Sequence, residues 1–267
     1  MNITNGKDLK TKVKMKEKGI DVFVLTQVAE DLLKGKEKLA VLPDGSELYY
    51  IGNNAITGVY YLKSGTFDIK KKIFARVDAF LDILRGRPID EIKMYKGKGF
   101  DASVHDGDKI AEFFSKLSDG ELTESEKGLK EILLNQHLLE GEEGNYRASK
   151  DWHIMALAKN ADFDLLIHEL KHIIYRVIEG YRNDVNAEWG KIPSEDKETN
   201  AELLGKIGGY NFEGEEGKAL LIREYVAYLP VLYKLQDQQY LNFLRIEEKY
   251  AQAIREFFET GVNSKAG

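Results

Sequence analysis

The stretch FDLLIHELKHIIYRVI, residues 163–178, decides the reading of this chain. Leu165, Leu166, Ile167, Leu170, Ile173, Ile174, Val177 and Ile178 cover most sides of a helix with apolar groups. The spacing predicts a buried helix over about 163–181, with Asp162 as N-cap and Asp164 in the first turn. Inside it, His168-Glu169-Leu170-Lys171-His172 forms an H-E-x-x-H. Positions i and i+4 of a helix share one face, so two imidazoles there can reach one zinc ion at about 2.0–2.1 Å. Glu169, one residue past the first histidine, points at the zinc-bound water rather than at the metal, which suits a general base. Zinc lowers the pKa of that water to about 7, and the glutamate takes its proton during attack on a carbonyl.

A catalytic zinc needs a third protein ligand and an open fourth position. The extended form H-E-x-x-H-x-x-G-x-x-H is absent: Tyr175 and Ile178 stand where glycine and histidine would be required, and no histidine follows His172. The third ligand is therefore a carboxylate or an upstream histidine. Glu224 is the leading candidate, in LLIREYVAYLPVLY (220–233), because a carboxylate among apolar helical residues requires a partner or a metal. A salt bridge with Arg223 or Arg176 is the competing explanation. Glu202 and Glu198 follow, on a more polar segment.

LLIHELKHIIY and IREYVAYLPVLY together resemble the gluzincins, zinc metallopeptidases with H-E-x-x-H and a ligand glutamate on a later helix. The nearest likeness is to the family of the anthrax lethal factor catalytic domain, over about residues 150–260. In that group the ligand glutamate opens a Glu-aromatic-x-Ala segment, and Glu224-Tyr225-Val226-Ala227 matches it. The resemblance implies a zincin-like fold, zinc held by His168, His172 and Glu224, and hydrolysis of a peptide or protein. It also implies an upstream edge strand that takes substrate backbone by strand addition, and DWHIMALA (151–158) occupies that place. A tyrosine seven residues before the ligand glutamate stabilises the oxyanion in that group. This chain has Gly217 there, which leaves Tyr210 and Tyr228 as the candidates.

The rest of the chain sets the frame. Its 267 residues suffice for one large domain or two small ones. Hydrophobic residues at 43% and charged residues at 31% give an ordinary globular composition with a core of its own. With no cysteine, a disulfide framework, cysteine-ligated metal and a cysteine nucleophile are excluded. A net charge of −6 speaks against a nucleic-acid binder. Six lysines within residues 1–18 make a basic start that reads as a solvated terminus. No apolar core follows them, so they are not a Sec-type signal peptide, and no run is long enough to span a membrane. The expected location is the cytoplasm, or outside the cell by a route that reads no such signal.

The pattern predicts an α+β fold, mostly helical, with a small sheet. Residues 19–35 read as a helix and 38–65 as hairpins turning at Pro43-Asp44-Gly45 and Gly52-Asn53-Asn54. Residues 67–85 return to helical spacing, 92–95 read as a short strand, and helices follow at about 107–117 and 123–139. The acidic, glycine-bearing EGEEGNY (140–146) lacks periodicity and divides an accessory region, 1–145, from a catalytic domain, 146–267. Residues 183–199 read as loop or broken helix, 200–207 as a short helix, and 218–236 and 238–260 as closing helices. His105 and His137 read as surface residues and His153 as a half-exposed strand residue.

The leading expectation is thus a zinc endopeptidase of the kind found among bacterial effectors and toxins, with its substrate extended beside 151–158. The alternatives are a catalytically inactive zincin-like binding protein, and a helical interaction protein in which HELKH is accidental.

Overall fold

The computed structural model describes residues 24–35, 38–53, 57–63, 75–80, 87–96, 102–158, 163–208, 212–229 and 238–263. It is α+β, largely helical, with a small mixed sheet. Backbone contacts divide the chain into two units, residues 31–169 with 257–267 and residues 1–30 with 170–256.

The unit built on residues 31–169 contains all the described strands: β1 (Lys38–Val41), β2 (Glu47–Asn53), β3 (Thr57–Lys63), β4 (Ala102–Asp106), β5 (Leu139–Glu142), β6 (Asn145–Ala148) and β7 (Asp151–Leu157). The turn between β1 and β2 falls at the predicted Pro-Asp-Gly. Asp44 Oδ1 accepts from the Ser46 N–H at 2.9 Å, and Gly45 takes φ +78°, a conformation that costs glycine nothing. The main sheet runs in the order β1-β2-β3-β7-β4.

β7 is an interior strand, which corrects the expectation of an edge at 151–158. It pairs in parallel with β3 along its whole length and antiparallel with β4 from His153 to Leu157. Its backbone is committed on both sides, so no substrate strand can add there. Among the described residues β4 pairs with β7 alone. The sequence signal for an interior strand was present: DWHIMALA is nearly continuously apolar rather than alternating, as strands buried on both faces are.

Trp152 and Ile154 of β7 meet Leu48, Tyr60 and Leu62 on one side of the sheet. The first described helices are α1 (Val24–Gly35), α2 (Ala75–Asp78) and α3 (Ile89–Lys93). Helices α4 (Gly107–Lys116) and α5 (Glu124–Asn135) close that core with Ile110, Phe113, Phe114, Leu129 and Leu133. α4 begins directly at the end of β4, and Gly107 makes this abrupt entry feasible. A Cβ at that position would lie 2.5 Å from the Trp152 ring. α5 starts with a capping box in which Glu126 N–H donates to Thr123 Oγ1 and Thr123 N–H donates to Glu126 Oε2.

Two local expectations change here. Residues 140–146 form part of the β5–β6 hairpin, whose bends use Gly141 and Gly144 at positive φ. Such a short, polar hairpin carries no periodic signal. Residues 92–95 contribute to a single helical turn, Ile89–Lys93, instead of a strand. Only Ile92 of that helix is buried, too little for a sequence pattern to register. Of the predicted helix 67–85, residues 75–80 alone are described, with Ala75–Asp78 helical.

The other unit is helical. α6 (Phe163–Val177) is one unbroken helix that runs through the division between Glu169 and Leu170. α7 (Glu179–Gly190), α8 (Ser194–Gly208), α9 (Gly214–Tyr228), α10 (Gln238–Lys249) and α11 (Ala251–Asn263) follow. α6 ends earlier than predicted, at Val177, and residues 183–199 take the broken-helix form of the expectation, helical on both sides of a break at 191–193. The missed stripe is Tyr181, Val185 and Trp189, three buried residues four apart within a polar sequence. At the α6–α7 bend, Arg182 Nη1 donates to the Arg176 carbonyl at 2.9 Å and satisfies an end of α6. No helix among the described residues is long and apolar enough to cross a membrane.

Gly107→Ala should destabilise the sheet unit by roughly 1–3 kcal/mol, the usual cost of forcing an added methyl into a packed core. Urea unfolding followed by Trp fluorescence checks this, and an unchanged midpoint would contradict the Gly107–Trp152 contact.

Candidate metal centre

α6 positions three of the expected residues by itself. Asp164 in its first turn and Arg176 in its last match the helix dipole, although the predicted cap, Asp162, lies outside the described residues. His168, Glu169 and His172 offer ligand atoms that all lie within 4.8 Å of one another. His168 and Glu169 are buried, and the His172 side chain is 11% exposed, so the group is nearly sealed from bulk water. His168 Nε2 and Glu169 Oε1 are 3.9 Å apart, too far for a hydrogen bond.

Glu224 comes from α9. Tyr225, Val226 and Ala227 beside it are buried, and Tyr225 packs on Trp189 of α7 at 4.8 Å and Phe243 of α10 at 5.7 Å between ring centroids. This aromatic anchor turns the preceding residue toward α6. Glu224 Oε1 lies 3.4 Å from His172 Nε2, with its side chain 6% exposed. A charge-assisted hydrogen bond would be about 2.7–2.9 Å. Two ligands on one tetrahedral ion, each at about 2.0–2.1 Å, sit roughly 3.3 Å apart. The observed separation is close to that edge, although the three residues whose ligand atoms all lie within 4.8 Å of one another are His168, Glu169 and His172, and Glu224 is not among them. Imidazole nitrogens and a carboxylate are also the donor types that zinc accepts.

The competing carboxylates stand elsewhere. Glu202 and Glu198 are exposed on α8, and Glu202 faces Lys206 one turn on. Tyr210 lies outside the described residues. Tyr228 ends α9, half-buried, one turn after Glu224. Gly217 has a structural reason. A Cβ there would lie 2.2 Å from the carbonyl carbon of Phe212, so neither tyrosine nor alanine fits at that position.

Two histidines depart from expectation. His105 is buried rather than at the surface, with Nε2 2.9 Å from Asp78 Oδ1. His153 is buried rather than half-exposed, with Nδ1 2.8 Å from Asp106 Oδ1. Each pairs with an aspartate distant in sequence, and no local spacing signals such a pair. His137 is exposed, as expected. Sequence reasoning also passed over Lys171, which lies within the H-E-x-x-H. It is buried, and its Nζ donates to Glu247 Oε1 of α10 at 2.5 Å. A lysine inside an otherwise apolar helix was the available signal. Glu247 also acts on its surroundings: burial, reinforced by this carboxylate, pushes the Tyr240 hydroxyl up to about 12.

Comparison with known protein families, curated proteins and solved structures finds no match for this chain.

Glu224→Ala should lower zinc affinity by at least about 100-fold, the upper end for losing even an outer-shell partner. Glu202→Ala should leave it unchanged. Chelator competition on the two purified variants reads both. The reverse pattern would move the third ligand to α8.

Proposed function

We propose that the chain is a zinc-dependent metallopeptidase that hydrolyses peptide bonds in a peptide or protein. The supporting observation is the buried cluster of His168, Glu169 and His172 on one helix, with Glu224 of α9 3.4 Å from His172 Nε2. His168, His172 and Glu224 would hold the metal. Bound there, zinc supplies Lewis acidity toward a carbonyl and lowers the pKa of a water to about 7.

The remaining work falls to the protein. Glu169 would accept the proton of the attacking water on one carboxylate oxygen. It would then deliver that proton to the departing amide nitrogen, acting as base and then as acid. The nearly sealed surroundings strengthen every charge interaction made with the reacting carbonyl. Tyr228 is the described candidate for donating to the developing oxyanion, as Gly217 has no side chain to offer.

That same Gly217 favours a second reading, a metal-binding zincin-like protein without turnover. Glu169→Gln separates the two. The purified chain should take up one equivalent of zinc, and the Gln variant should retain it. Cleavage of a peptide library should fall at least about 100-fold, the low end of general acid–base contributions. Equal cleavage by both proteins at equal zinc content would remove the peptidase reading. Absence of zinc uptake at neutral pH would remove both.

A further inference from the structure

We propose that the buried Lys171–Glu247 ion pair is a positioning device for the metal helix. It fixes the rotation of α6 about its own axis, and with it the direction in which His168 and His172 present their ring nitrogens. The inference rests on the metal-centre reading above.

The helical geometry gives the pair leverage. At 3.6 residues per turn each residue advances about 100°, so His168 and His172 straddle one line along the helix. Glu169 stands roughly 80° to one side of that line and Lys171 roughly 80° to the other. The proton acceptor and the anchored cation therefore flank the histidines. Rotation that displaced the ligands would have to break the contact between Lys171 Nζ and Glu247 Oε1, made at 2.5 Å by side chains only 3% and 11% exposed.

Stability alone does not account for this pair. Burying a lysine and a glutamate is costly, and an apolar pair of similar volume is commonly as stable or more so. Apolar packing tolerates small rotations, however, whereas a rotation that parts the pair leaves two buried charges uncompensated. Helix α10, which carries Glu247, is itself held. Asn242 Nδ2 donates to Glu188 Oε1 at 2.6 Å, and Lys249 Nζ donates to Asp184 Oδ2 at 2.5 Å, both on α7. Phe243 of α10 packs on Tyr225, the residue next to Glu224. One helix thus braces a neighbour of His172 through charge and a neighbour of Glu224 through aromatic contact.

The test uses the full chain and reads zinc affinity by chelator competition, together with the visible spectrum of the Co(II)-loaded protein. K171M/E247M replaces the pair by apolar side chains. It should unfold in urea at or above the wild-type midpoint, yet bind zinc about 10–100-fold more weakly, as outer-shell losses do. Its Co(II) bands should shift or weaken. Lys171→Arg keeps the cation and should stay within about threefold of wild type in zinc affinity, well short of an outer-shell loss. If the double variant does not fold, the nearly isosteric Glu247→Gln decides, with weaker zinc binding and an altered spectrum expected. Wild-type affinity and an unchanged Co(II) spectrum in whichever variant decides would overturn the proposal and leave the pair a packing element. Failure of the wild-type chain to bind zinc would overturn the metal-centre reading itself, and it would be seen before any variant is compared.

Discussion

Within five residues, α6 carries four ionisable side chains, His168, Glu169, Lys171 and His172, into a nearly dry interior. A group that is taken from water must find a partner, and the cost of failing grows as the surroundings become less polar. Much of the helical unit answers to that demand. Lys171 is met by Glu247 of α10, and His172 by Glu224 of α9. α9 and α10 are joined in turn by the edge-to-face contact of Tyr225 with Phe243. The helices that follow α6 are arranged so that its charges are matched, while Leu170, Ile173 and Ile174 supply the apolar contact around them.

The sequence was legible wherever a residue's role was local. The H-E-x-x-H fixed the relative placement of His168, Glu169 and His172, because three positions on one helix have their geometry set by the helix itself. The Pro43-Asp44-Gly45 turn was readable for the same reason. Glu224 could be singled out by an argument about cost, a carboxylate in apolar company, although 52 residues separate it from His172. Long-range pairings were not legible. Asp78 with His105, Asp106 with His153 and Glu247 with Lys171 join segments whose neighbours in sequence say nothing of one another. At 183–199 the sequence left loop and broken helix undivided, because the buried stripe of the helix at 179–190 is only three residues in a polar background, below what periodicity detects.

The interior position of β7 shows how pattern and topology part. Its composition marked a buried strand, but its rank in the sheet depends on β3, which ends 88 residues before β7 begins. With β3 and β4 on either side, the backbone polar groups of β7 serve the sheet. Gly107, pressed on Trp152, lets α4 start at once from β4 and so brings the neighbouring strand close. The Asp106 side chain, at the N-cap of that helix, turns to His153 of β7 instead of capping. One junction therefore joins strand pairing, core packing and a buried polar contact.

Gly52, in the irregular stretch of β2, leaves room for the backbone of Phe257: a Cβ there would lie 2.8 Å from its carbonyl oxygen. The two partners are separated by more than two hundred residues of chain. At synthesis rates of about 5–20 residues per second, β2 would leave the ribosome roughly 10–40 s before its partner exists. During that interval the β1–β2–β3 meander can pair locally, but the notch at Gly52 stays open, and β7, the strand parallel to β3, is made only about halfway through it. The sheet unit is thus built in two instalments, with an early hairpin stage and a late closure by the C-terminal helix. A nascent chain of this protein therefore carries the edge of β3 unpaired from the synthesis of β3 until that of β7.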